Sequence, residues 1–181
     1  VLRVRVYVAY MFTSAFSAFC MFAYISNSSY LLQDQKGLSP IANSLVFAMN
    51  AAGQVLFTLV NSRLVGWWRP RRLMAVGLGL SVVAVTIVTV CVLALGTPLV
   101  PTIVGFFLLM SGQAFIFGNS SSLALGAARE NAGTASAVMG LVQSFVMGLS
   151  APLASSGGAT TSVPMVVVML VGVTGAWGTY L

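Results

Sequence analysis

Residues 41–72, IANSLVFAMNAAGQVLFTLVNSRLVGWWRPRR, join twenty uncharged residues to a segment that carries four arginines. A helix of about 20 apolar residues crosses the ~30 Å hydrocarbon core of a bilayer. Arginines gathered just beyond such a run stay on the cytoplasmic side. The same alternation continues in both directions. Spans are expected at about 6–25, 41–60, 73–95, 101–125, 134–154 and 163–181. Backbone polar groups in lipid must be satisfied inside their own segment, and these runs are too long for barrel strands. The expected fold class is therefore all-α and polytopic, with six transmembrane helices. Ser39-Pro40 reads as a helix cap followed by a first-turn proline, and Pro101 and Pro164 sit equally close to span starts.

Composition agrees. Hydrophobic residues make up 59% of the chain and charged residues 6%, against about 25% charged in a soluble domain. The partner expected first is the lipid bilayer. The formal charge of +6 does not point to nucleic acid, because the arginines flank apolar spans and form no soluble basic face. The chain has no histidine, and Cys20 and Cys91 lie inside spans as small apolar residues. No metal, cofactor or catalytic residue is expected, and no nucleophile–base pair suggests an enzyme. No cleavable signal peptide is evident. The chain opens on Val1 and ends at Leu181 within an apolar run, so it is expected to be a fragment of a longer protein.

Charge sets the orientation. Arg3, Arg5, Arg63, Arg69, Arg71, Arg72 and Arg129 fall on one side of the six spans, and only Lys36 falls on the other. Both termini are expected in the cytoplasm.

Polar residues inside the spans sort the helices. Asn43, Asn50, Gln54, Thr58 and Asn61 fall within a sector of roughly 80° on the second helix. Two readings are open for this stripe: bonding between helices, or the wall of a solvated substrate cavity. Tyr10, Ser14, Ser17, Met21, Tyr24 and Ser28 share a face of the first helix. Met21 and Tyr24 suit a loosely specified apolar ligand, although Tyr24 equally suits an interfacial anchor. On the fifth helix, Ser136, Gly140, Ser144 and Gly148 make a small-residue ridge of the kind that lets another helix approach. Gln143 borders the ridge. The fourth helix carries Gln113 and the cluster Gly118-Asn119-Ser120-Ser121-Ser122, read as a bend or a wet half. The third and sixth spans hold no amide and no charge and are expected to face lipid. Two triplets that each end in the least polar helix point to an inverted 3+3 repeat of the transporter type. No Asp, Glu, Lys or Arg lies well inside a span, so an ion-coupling acid would have to come from elsewhere.

Certain stretches resemble a known family. Tyr24–Gln33 with Gly37-Leu38-Ser39-Pro40 resembles the first outer loop in the C-terminal half of Bcr/CflA-type multidrug transporters, within the major facilitator superfamily. Phe47-Ala48-Met49-Asn50-Ala51 is similar to the helix that follows. Asn61-Ser62-Arg63-Leu64 with Arg69-Pro70-Arg71-Arg72-Leu73 looks like the basic cytoplasmic loop, and Arg129 with Ala132-Gly133-Thr134-Ala135-Ser136-Ala137 like the start of the fifth helix. Ser29 and Tyr30 stand where the family has Pro and Phe. The resemblance implies that residues 1–181 are one six-helix half of a twelve-helix, proton-coupled exporter of drugs or small metabolites in a bacterial inner membrane. It implies a missing N-terminal six-helix half as partner. Met21, Tyr24, Asn50, Gln54 and Gln143 are then the candidate substrate contacts. Arg63, Arg69, Arg71 and Arg72 either brace an inner gate or only set topology. The rival reading is a membrane anchoring or assembly subunit that transports nothing.

Overall fold

The computed structural model describes residues 2–157 and 161–181, so the expected loop 155–162 is described only at its two ends. The described residues form six long helices and no strand: α1 (Arg5–Ser29), α2 (Pro40–Leu64), α3 (Pro70–Leu93), α4 (Leu99–Ala127), α5 (Ala132–Ala154) and α6 (Val163–Tyr180). All six are long and apolar enough to cross a membrane. The Ser39 hydroxyl accepts from the Ala42 amide at 3.2 Å, with Pro40 in the first turn, as the sequence predicts. The α4 start moves outward to Leu99, with Pro98 at the cap and Pro101 inside the first turn.

The largest departure from expectation is at the end of α1. Residues 26–40 read as a polar connection, yet α1 continues to Ser29 and then as a π-helical segment, Tyr30–Gln35. Burial explains this. Asn27, Ser28, Leu31 and Leu32 are all buried, and the Asn27 amide donates to the Ala154 carbonyl at 3.2 Å. A helix keeps the backbone of this buried stretch satisfied where a loop would not. Beyond it, the Lys36 ammonium donates to the Gly96 carbonyl at 2.5 Å. This ties the α1–α2 connection to the α3–α4 turn, where Gly96 and Thr97 have φ of 65° and 62°.

The packing follows an exchange of triplets. The main neighbours of α1 are α4, α5 and α6, and those of α4 are α1, α2 and α3; α3 also meets α6. Swapping the first three helices for the last three maps each set onto the other, as a 3+3 repeat requires. Close approach depends on glycines. A Cβ on Gly77 of α3 would stand 2.7 Å from the Gly112 carbonyl of α4, and one on Gly112 would stand 2.9 Å from the Gly77 carbonyl. At the symmetry-related α1–α6 contact, a Cβ on Gly172 would meet the Cys20 backbone nitrogen at 2.9 Å.

Two expectations about surfaces are corrected. α1 and α4 are the most buried helices, but the least buried pair is α2 and α5, not α3 and α6. The glycine seams hold α3 and α6 along their length, and these two also touch each other. α2 and α5 each lean mainly on one central helix. The ridge on α5 is not a packing seam within the chain. Ser136, Gly140, Ser144 and Gly148 are all exposed, and a Cβ on Gly140 or Gly148 would meet nothing within 4 Å. The face of α5 that packs carries Ala135, Met139, Ser150 and Ala154 instead.

Gly112→Val should destabilise the fold by about 1–3 kcal/mol through overpacking at the α3–α4 seam. Gly79→Val, on the same pair but with nothing within 4 Å of its Cβ, should change stability by less than about 0.5 kcal/mol. Unfolding in detergent would show the contrast, and equal losses would mean that the seam is not close-packed.

Candidate functional site

The buried residues of α2 are Asn43, Asn50, Gly53 and Asn61. Its large apolar residues, among them Leu45, Met49, Val55, Leu56 and Leu59, point outward. This helix is polar inside and apolar outside, which suits a hydrocarbon solvent. Each of the three asparagines bonds to another helix. The Asn43 amide donates to the Ser29 hydroxyl at 3.4 Å, and the Asn50 amide to the Tyr24 hydroxyl at 2.6 Å. The Asn119 amide of α4 donates to Asn61 Oδ1 at 2.8 Å and also to the Phe115 carbonyl at 2.7 Å. At these three positions the stripe joins helices.

The Tyr24–Asn50 pair lies in the middle of an aromatic cluster. The Tyr24 ring centroid is 4.3 Å from that of Phe106 on α4 and 5.7 Å from that of Phe47 on α2. One turn beyond Asn50, the ring of Phe107 covers Gly53, whose hydrogen leaves the only space for it. The site thus brings α1, α2 and α4 together through one hydroxyl–amide bond and three rings. Met21 is half-buried and packs against the same cluster.

The other predicted contacts behave differently. Gln54 is half-buried, one turn from Asn50, and its backbone carbonyl accepts from Thr58. Gln143 is half-buried on α5 and takes no part in the hydrogen bonds of the Tyr24 cluster. α5 is held to α1 by other groups: Tyr7 hydroxyl to the Ala135 carbonyl, Ser150 hydroxyl to the Phe19 carbonyl, and Asn27 amide to the Ala154 carbonyl. Tyr24 and Asn50 therefore meet directly, Met21 and Gln54 border them, and Gln143 belongs to a different helix pair. Arg63, Arg69, Arg71 and Arg72 are all exposed at the far end of α2 and the start of α3. The Arg71 guanidinium lies 5.3 Å from the Tyr180 ring centroid, and the Tyr180 hydroxyl donates to the Arg71 carbonyl.

Sequence reasoning missed Phe106 as a site residue and undervalued Gln113. Gln113 is fully buried, and neither its amide oxygen nor its nitrogen has a partner among the described residues. It lies two turns from Phe106, so it shares the face of α4 that meets α1. Asn50 Oδ1 and the hydroxyls of Ser14 and Ser111 are likewise buried without a partner. Leaving such a group unpaired costs about 1–3 kcal/mol. α1, α2 and α4 thus retain hydrogen-bonding capacity that no described residue uses. A lone glutamine in an apolar span was the legible signal; Phe106 looks like any other core phenylalanine.

The family model of the Major Facilitator Superfamily matches residues 1–152. A relative from Bacillus subtilis (strain 168), described as "Uncharacterized MFS-type transporter YdgK", is 25% identical over 170 residues. The match covers 94% of this chain and 42% of that protein. The chain therefore spans less than half the length of this relative.

A double-mutant cycle with Tyr24→Phe and Asn50→Leu should show a coupling of about 0.5–2 kcal/mol, the range for hydrogen bonds between membrane helices. Strict additivity in unfolding measurements would show that this bond does not hold α2 to α1.

Proposed function

The chain belongs to the major facilitator superfamily, and from that premise we propose that it forms the second six-helix half of an alternating-access exporter. The carrying observation is the set of buried polar atoms without a partner among the described residues, at Ser14 of α1, Ser111 and Gln113 of α4 and Asn50 Oδ1 of α2. An anchoring subunit has no use for a buried amide such as Gln113 that bonds to none of the described residues. A transporter does, because its central helices exchange contacts with a ligand as the halves rock.

In this reading α1, α2 and α4 carry the wall that meets substrate. Tyr24, Phe47 and Phe106 supply aromatic surface, Met21 an adaptable thioether, and Asn50, Gln54 and Gln113 polar contacts. This mixture suits amphipathic drugs or small metabolites, the substrate class implied by the resemblance to Bcr/CflA-type transporters. Gln143 would reach the ligand only from α5, as a secondary contact. A first six-helix half would cover the exposed apolar side of α5, including Leu141 and Phe145. The small-residue ridge Ser136, Gly140, Ser144 and Gly148 then becomes a seam between halves rather than within one. The extent of the relative beyond the match leaves room for such a half. Proton coupling would use an acid in that first half, since Asp34 and Glu130 stand at the ends of their spans and no acid lies well inside one. The arginine-bearing end, with both termini, would face the cytoplasm of a bacterial inner membrane.

In the complete protein, with parental expression confirmed, Asn50→Ala, Gln54→Ala and Gln113→Leu are each expected to lower efflux. The expected loss is about tenfold for the most affected substrate, equivalent to ~1.4 kcal/mol, and unequal across a substrate panel. A uniform loss would mean a structural role, and unchanged efflux would remove these residues from the cavity. A parental protein that moves no substrate in vesicles would favour the anchoring reading.

A further inference from the structure

The α2–α3 connection carries a feature that transport does not explain. Arg63, Leu64, Trp67 and Trp68 line an open pocket of about 500 Å³ at the end of α2. Trp67 is 90% exposed and Trp68 51%, whereas Trp177 packs against the core clusters. The exposed pair is not on a loose loop. The amides of Trp67 and Trp68 both donate to the Leu64 carbonyl, at 2.9 and 2.8 Å. Exposed tryptophan held in place at the end of a membrane helix belongs at the headgroup level of a bilayer.

The charge around this pocket is of one sign. Residues 61–72 include four arginines and no acid, and no arginine forms an ion pair among the described residues. Arg71 is engaged by the Tyr180 ring, which leaves Arg63, Arg69 and Arg72. α3 begins at Pro70 with no acidic residue in its first turn and no side-chain cap. Its positive end therefore adds to the arginines instead of opposing them. The ligand this favours is an anion.

The apolar side of the pocket narrows the choice. Val60, Leu59 and Leu56 lie three, four and seven residues before Arg63 and are exposed on the same face of α2. An anionic group seated at Arg63 and the tryptophans would have a continuous apolar track running from it toward the middle of the span. A free phosphate makes no use of that track, but an acyl chain does. We propose that the Arg63–Leu64–Trp67–Trp68 pocket, with Arg69 and Arg72, binds the headgroup of an anionic phospholipid whose acyl chain lies along Leu56, Leu59 and Val60.

The test places the complete protein, carrying Trp177→Phe, in nanodiscs and follows indole fluorescence. Tryptophans of the first half, if present, are also replaced. Brominated phosphatidylglycerol should quench Trp67 and Trp68 at about one-tenth the mole fraction required of brominated phosphatidylcholine. The preference should fall as salt rises toward 1 M, where the screening length is ~3 Å. It should vanish in the Arg63→Gln/Arg69→Gln/Arg72→Gln variant. Equal quenching by the two lipids, or a preference that salt does not reduce, overturns the proposal. Should the triple variant misfold, the salt titration of the parent decides alone. Inorganic phosphate at millimolar concentration should not displace the lipid; full competition would make the ligand a soluble anion and reject a lipid site.

Discussion

Lipid removes the force that usually assembles helices. A leucine gains little by moving from acyl chains to another helix, so association depends on close packing and on hydrogen bonds. α2 shows the consequence most plainly. It keeps three asparagines and a glycine inside and turns its leucines and valines outward. Besides the bonds to Ser29, Tyr24 and Asn119, only aromatic contacts, those of Phe47, Phe57 and the ring over Gly53, distinguish its bound position from solution in lipid. The other contacts of the site presuppose that these bonds hold α2 against α1 and α4.

The remaining helices use two other devices. Glycine seams bring α3 to α4 and α6 to α1, close enough that a methyl group would collide with the facing backbone. α5 is held by side chains that donate to backbone carbonyls, with Tyr7 and Asn27 reaching from α1 and Ser150 reaching back. Amide bonds for α2, carbonyl bonds for α5 and glycine seams for α3 and α6 fix the outer four helices around a central pair. α2 and α5, the less embraced helices, are those that keep broad free faces. Stability is thus concentrated in α1, α3, α4 and α6, while the two helices on the flanks remain available to another surface.

The central pair carries a different burden. Gln113, Ser14 and Ser111 are buried with polar atoms that no described residue satisfies. Such groups lower the stability of a resting structure. At the Tyr24–Asn50 bond the amide nitrogen is engaged, while Asn50 Oδ1 is left unpaired.

Much was determined by the sequence alone. The number of helices, their approximate bounds, the one-sided arginines and the amide stripe on α2 all follow from composition and periodicity, because each reports the solvent around a single helix. Tyr24 and Asn50 could be proposed as site residues in this way. Only the tertiary structure decided that they bond to each other, that Phe106 completes their cluster, and that Gln143 stands apart. It also decided that the glycines in contact are Gly77, Gly112 and Gly172, not the ridge on α5, and that α1 runs on through residues read as a loop. The reason is physical. In water, burial marks which face of a helix meets another, but in lipid an apolar face suits a neighbouring helix and the bilayer equally well. The depth and rotation that bring two helices together are properties of the pair, and no single helix records them.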